Sequence, residues 1–173
     1  MKKIFWLAIP AALLVIQFFQ PDMSNPPVDP AQDIQQVANP PAEVQSILKA
    51  ACYDCHSNES AYPWYSRISP VSWWVADHIN EGREALNFST FGTLSPGDRA
   101  EALEEAAEKV NEGEMPLNSY TWMHPEARLT AAQKDLLVGW LNASGGEGEA
   151  GAASEAAGGQ PGGREAKEGE DED

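Results

Sequence analysis

The sequence predicts an all-α domain, on three observations. Between residues 40 and 142, apolar residues recur at intervals of three and four in four separate segments, the spacing of one helical face. Each segment opens on a cap or a proline suited to a first turn. Nothing in the region alternates apolar and polar residues as a half-buried strand does.

The chain begins MKKIFWLAIPAALLVIQFFQPD, in which Lys2 and Lys3 precede an apolar run from Ile4 to Phe19 broken only by Gln17. Sixteen residues at about 1.5 Å each span about 24 Å, short of a bilayer core but within reach of it once the flanking residues are counted. Residues 1–20 therefore predict an uncleaved membrane anchor, with Lys2 and Lys3 in the cytoplasm and the rest exported. The competing reading is a cleaved signal peptide, for which no convincing small-x-small site follows the run. Residues 21–39, rich in Pro, Asp and Asn, predict an extended spacer.

The first helix follows Asn39-Pro40 and carries Val44, Ile47, Leu48, Ala51, Cys52 and Cys55 on one stripe. The second starts at Ser69-Pro70, with Val71, Trp74, Val75, His78, Ile79, Gly82, Ala85 and Leu86 predicted to face inward. The third opens on SPGD, where Ser95 caps and Asp98 answers it, and its inner face is Ala100, Leu103, Ala107 and Val110. An irregular loop, GEMPLNSYTWMHPEAR, leads to the fourth, which opens on TAAQ and is predicted to bury Leu136, Leu137, Trp140 and Leu141. Residues 143–173 lack any aromatic or branched aliphatic side chain and predict a disordered acidic tail. The folded domain is thus expected over residues 40–142.

The net charge of −16 excludes a nucleic-acid partner, which would require clustered Lys and Arg. Five tryptophans (Trp64, Trp73, Trp74, Trp122 and Trp140) fall in a domain of only about 100 residues, whose short helices supply a thin core. A flat apolar group inside would give them something to pack on.

The chain's only cysteines lie in ACYDCHSNES, as Cys52 and Cys55, followed at once by His56. A disulfide between them would close a very short loop inside a helix, where the entropic gain is least. A thiol-disulfide redox pair normally opens a helix after a strand, whereas this pair closes one. A zinc site is a poor match to this spacing. The pattern C-x-x-C-H is instead the attachment signature of c-type haem: both sulfurs lie on one side of a helical turn to meet two vinyl groups, and the adjacent imidazole takes the iron. The cofactor expected is one covalently attached haem c, held by Cys52 and Cys55 with His56 as a metal ligand.

Four segments, ACYDCHSNES, YPWYSRISPVSWWVADHINEGREALNFS, GEMPLNSYTWMHPEARLT and LLVGWLN, resemble the small bacterial haem-binding domain family, single CxxCH domains behind an N-terminal anchor. The resemblance covers about residues 43–142 and implies a cytochrome c-like helical domain around the haem. In mono-haem cytochromes of similar layout the second axial ligand is a loop methionine, often before a proline. That points to Met115, which precedes Pro116. His78, on the apolar face of the second helix, is the rival, and His124 and Met123 are further candidates. Arg67, Arg83 and Arg128 are candidates for pairing with haem propionates.

An iron held from both sides leaves no open position for chemistry. The function expected is therefore single-electron transfer by a non-enzymatic, mono-haem cytochrome on the bacterial inner membrane, facing the periplasm and serving redox partner proteins. A haem-based sensor with a displaceable ligand is the alternative, and a CxxC thiol oxidoreductase stands behind it.

Overall fold

The computed structural model describes the backbone of residues 2–157 and the side chains of residues 7–146; the side chains of Lys2 and Lys3, expected in the cytoplasm, and the last part of the acidic tail fall outside these. Among the described residues every regular element is helical. In chain order these are α1 (Lys2–Ile16), α2 (Ile34–Val37), α3 (Ala42–Ala51), α4 (Tyr53–His56), α5 (Val71–Ala85), α6 (Pro96–Glu112), α7 (Asn118–Met123) and α8 (Ala131–Ala157). Short 3₁₀ turns at Pro30–Gln32, Trp64–Arg67, Phe88–Thr93 and Pro125–Ala127 connect them.

The all-α expectation holds, and so do two of the caps. Ser95 accepts the Asp98 amide and also bonds its carboxylate, which starts α6. Gly113, at φ +77°, ends α6 in a left-handed conformation that suits glycine. At α8, Thr130 accepts from the Gln133 amide while Gln133 accepts from the Thr130 amide, a reciprocal capping box. The α5 start differs from expectation. Pro70 occupies the cap position without a side-chain bond, and Ser69 is engaged elsewhere.

The core gathers Val44, Ile47 and Leu48 of α3, Leu103 and Val110 of α6, and Leu137 and Leu141 of α8. Phe88 and Phe91, from the turn between α5 and α6, fill it from the side. α6 and α8 form the most extensively packed pair and run antiparallel. Lys134 bonds the Asn111 carbonyl at one end, and Gly145 meets Ala100 at the other. A Cβ on Gly145 would sit 3.2 Å from the Ala100 carbonyl, so the close approach of the two helices depends on a glycine there. Of the four residues expected to be buried on α8, Leu137 and Leu141 are, whereas Leu136 is exposed and Trp140 half-buried.

Two boundaries move. The expected disordered tail begins as helix: α8 continues past residue 142 to Ala157, and Gly145 is buried against α6. The expected spacer is part of the domain. Ile34 is fully buried in the core, Asp33 caps α2 by accepting the Gln35 amide, and Asn25 and the Pro27 carbonyl bond the loop after α4. Proline and polar residues thus mark a segment that is extended but packed. Asn58 holds its Pro27 carbonyl and Asn25 holds the Ser60 carbonyl, contacts that composition does not reveal.

The first helix also breaks. The stripe continues only to Ala51; Cys52 leaves helical geometry at φ −126°, and α4 starts afresh at Tyr53. The reason is Tyr53, which is 2 % exposed, packs on Phe88 and donates its hydroxyl to Asp33 at 2.6 Å. Removing that hydroxyl leaves a buried carboxylate oxygen short of a donor. Tyr53→Phe is expected to lower the unfolding free energy by about 1–2 kcal/mol in a urea titration, with no change in helical content.

Candidate functional site

The CxxCH turn is built on α4. The Cys55 and His56 amides both bond the Cys52 carbonyl, at 3.2 and 2.9 Å, which closes a single helical turn. The Ser57 hydroxyl then bonds back to the Tyr53 carbonyl, and its own carbonyl accepts from Arg83 at 2.8 Å. The Arg83 guanidinium also reaches Ser60 and Asn25, so one α5 side chain fastens both the turn and the N-terminal segment.

Against the turn lies Gly82. A Cβ built there would fall 2.8 Å from the Cys55 carbonyl oxygen and 3.2 Å from its Cβ, closer than packed atoms come. This contact sets the rotation of α5. Its buried residues are Ser72, Ala76, Ile79 and Gly82, small enough for a close approach. The expected inward face was larger, and the structure corrects it. Val71 and Trp74 are 40 % and 46 % exposed, Ala85 is exposed, and Val75 and His78 are half-buried; Ile79, Gly82 and Leu86 are buried as expected.

Trp74, Val75, His78 and Ala85 border two adjoining clefts that share Cys55, His78, Leu117 and Tyr120. One is further lined by Tyr65, Trp74, Val75, Ile79 and Met123, the other by His56, Gly82, Met115 and Pro116. Three of the four residues predicted for the site, Cys55, His56 and Met115, therefore lie on one cleft. Cys52 lies off its wall, packed against the hydrophobic core.

The protonation states are set by burial. His56 Nδ1 lies 3.0 Å from the Leu86 carbonyl, which can only accept, so Nδ1 carries the proton and Nε2 keeps its lone pair. Burial also pushes this imidazole below the ordinary histidine range, against the opposing pull of the Leu86 and Gly82 carbonyls. A neutral ring whose far nitrogen is fixed by a backbone acceptor is the usual arrangement of a metal-ligating histidine. Burial likewise pushes the Cys52 thiol up to about 12, helped by charge on Cys55. It pushes the Cys55 thiol up to about 11, helped by Asp54. Thiol-disulfide exchange uses depressed thiol pKa values, the opposite of what is found.

Among the rival ligands, His124 is occupied on both nitrogens. Nε2 meets the Tyr65 hydroxyl at 2.6 Å and Nδ1 the Glu126 carboxylate at 3.1 Å, while Tyr120 stacks on the ring. His78 bonds only its own helix, through Nδ1 to the Trp74 carbonyl, and lines both clefts. Met123 lines one. None of the three candidate arginines lines either cleft: Arg83 forms the clamp described above, Arg128 bonds the Thr121 carbonyl, and Arg67 is exposed. Several residues that shape the site gave no signal in the sequence. Tyr120 donates to Asp54 at 2.8 Å, and Asp54 also accepts the Ala61 amide, so a residue inside the CxxCH motif ties the turn to α7. Isolated Tyr and Asp residues far apart in sequence carry no spacing pattern that would announce such a bond.

The profile described as a haem-binding domain matches residues 11–143, most of the chain, and the chain belongs to that family. The match takes in the segment from 21 to 39, in keeping with its packing into the domain. No curated protein and no solved structure matches.

The donor set fits the group the family binds: a neutral imidazole with a free nitrogen, a thioether on the same cleft, and apolar aromatic walls. Gly82→Ala should force α5 off the Cys55 carbonyl. The expected outcome is a loss of about 1–3 kcal/mol in urea unfolding, together with a lower ratio of haem to protein absorbance.

Proposed function

We propose, taking membership of the haem-binding domain family as the premise, that this protein is a mono-haem c-type cytochrome carrying single electrons, attached to the bacterial inner membrane with its domain in the periplasm. The observation that carries the reading is the convergence of Cys55, His56 and Met115 on one cleft, with His56 Nδ1 held by the Leu86 carbonyl.

In this reading Cys52 and Cys55 would hold the porphyrin through thioether bonds, and His56, through Nε2, and Met115 would hold its iron. Haem, when bound, supplies a one-electron couple at its iron. The chain's own residues do the rest. Burial keeps the imidazole neutral, the Leu86 carbonyl orients it, and Trp74, Val75, Ile79 and Leu117 give the adjoining cleft an apolar wall. Two donors, His56 and Met115, on one cleft favour a fixed coordination over open chemistry, which supports electron transfer rather than catalysis. His78 is the competing ligand, because it lines the same cleft without a bond outside its own helix.

Membrane attachment rests on the apolar N-terminal segment, whose α1 runs for 15 residues. No helix among the described residues is long and apolar enough to cross a membrane by itself. The residues that follow, through Phe19, would extend the apolar length, with Phe18 and Phe19 exposed. The redox partners belong to the same reading, and the acidic surface favours ones with basic docking faces.

Protein made in cells able to attach haem c should gain the mass of one haem and retain peroxidase stain on a denaturing gel. Met115→Ala should abolish the sulfur-to-iron charge-transfer band of the oxidised protein, whereas His78→Ala should leave it. Loss of that band in the His78 variant alone would move the ligand. Rapid stoichiometric carbon monoxide binding to the reduced wild type would replace electron transfer by sensing.

A further inference from the structure

We infer that the end of the domain at the start of α5, where Ile68, Val71 and Trp73 are exposed, lies in the headgroup region of the same bilayer that receives the N-terminal segment, so that the domain rests on the membrane at a fixed orientation. The inference rests on the proposed membrane attachment and adds to it a second, peripheral contact.

The first observation is how α1 meets the domain. Gln17, the one polar residue in the apolar run, is satisfied at both ends of its amide. Nε2 donates to the Leu13 carbonyl and to the Ser69 carbonyl, each at 2.9 Å, and Oε1 accepts the Ser69 amide at 3.0 Å. Gln20 donates to the Ser69 hydroxyl at 2.9 Å. The Trp73 indole donates to the carbonyl of Phe19, beyond the last turn of α1. In water such groups need no partner. At membrane depth each unpaired one is costly, and here the domain supplies the partners.

The second observation is the surface beside that junction. Ile68, Val71 and Trp73 are 45 %, 40 % and 40 % exposed, next to Phe19 at 66 %. Residues 62–76 contain a single charge, the cation Arg67, in a chain that is 22 % charged and strongly acidic. The exposed carboxylates of α5, Asp77, Glu81 and Glu84, lie beyond its first turn, and those of Glu101, Glu104, Glu105, Glu108 and Glu112 are carried by α6, which packs on α8. A nearly uncharged, tryptophan-bearing face suits the headgroup region, where an indole sits half in the apolar layer. The acidic face would be repelled by anionic lipid.

Length gives the third argument. Fifteen residues of α1 at about 1.5 Å each reach about 22 Å, against roughly 30 Å of hydrocarbon. A short span is accommodated by thinning the bilayer or by drawing its flanks into the interface. With the flank bonded rigidly to Ser69 and Trp73, what is drawn in is this face of the domain. A protein partner could also cover an apolar face, but continuity with the N-terminal segment and the satisfied Gln17 amide favour lipid.

The test uses the full chain, haem-loaded, in phosphatidylcholine vesicles containing a lipid with a photoactivatable diazirine near its headgroup, with inserted peptides mapped by mass. Residues 62–76 should be labelled several-fold above residues 101–112, and residues 7–19 should be labelled as well. The double variant Gln17→Ala, Gln20→Ala should lower labelling of 62–76 while leaving 7–19 labelled. Equal labelling of 62–76 and 101–112, with 7–19 still labelled, overturns the inference and leaves the attachment standing. Absence of labelling at 7–19 as well overturns both. Crosslinking of 62–76 to a second protein chain instead of lipid also overturns it.

Discussion

No side chain fits between α5 and the carbonyl of Cys55, and the arrangement of the cleft follows from that. Gly82 allows the helix to rest directly on the CxxCH turn, with a would-be Cβ only 2.8 Å from the carbonyl oxygen. Because an α-helix is rigid, one such contact fixes which residues face in along its whole length. Ser72, Ala76 and Ile79 fall on the same side as Gly82, while Trp74, Val75 and His78 rotate toward the cleft. The end of α5 then brings the Leu86 carbonyl within 3.0 Å of His56 Nδ1. One glycine thus positions both the apolar wall and the acceptor that orients the imidazole.

Around this contact the domain uses single polar side chains to hold segments that have no hydrophobic reason to meet. Arg83 joins the turn to residue 25, Asp54 joins it to α7 through Tyr120, and Asp33 joins α2 to Tyr53. The Asp54–Tyr120 and Asp33–Tyr53 bonds are at least partly shielded from solvent, where a bond is worth more than an exposed ion pair. Each also leaves a costly orphan if one partner is lost. The small core explains the reliance on them: with short helices and few large aliphatics, hydrogen bonds must fix what packing alone would leave loose.

What could be read from the sequence follows the same division. The third and fourth helices were legible to the capping residue, because Ser95 with Asp98 and Thr130 with Gln133 are local patterns. The CxxCH turn was legible because its chemistry demands a spacing. The second helix was placed correctly and rotated wrongly. Hydrophobicity put Trp74 and Val71 inside, whereas close approach to Cys55 at the expected Gly82 turns Ser72 and Ala76 inward, small residues that a periodicity argument scores low. The segment before α3 read as a spacer because proline and polar residues signal extension; whether an extended strand of chain is free or packed depends on partners such as Ser60 and Asn58, far away in sequence. His124 stood behind His78 as a further candidate ligand, and only the geometry shows its two nitrogens taken by Tyr65 and Glu126.

The packed N-terminal segment changes how the proposed electron carrier would meet its partners. A flexible spacer would let the domain sample many orientations, raising the local concentration of the haem without favouring any approach. Here Gln17, Gln20, Asn25 and Ile34 fasten the chain to the domain from the end of α1 onward. Little slack remains between the apolar segment and the CxxCH turn. An orientation set by hydrogen bonds restricts encounter to partners that can approach one side, and in exchange lowers the orientational entropy lost when they dock. Selectivity for a partner at the membrane would then arise from the way α1 is joined to Ser69, as much as from any surface recognising the partner itself.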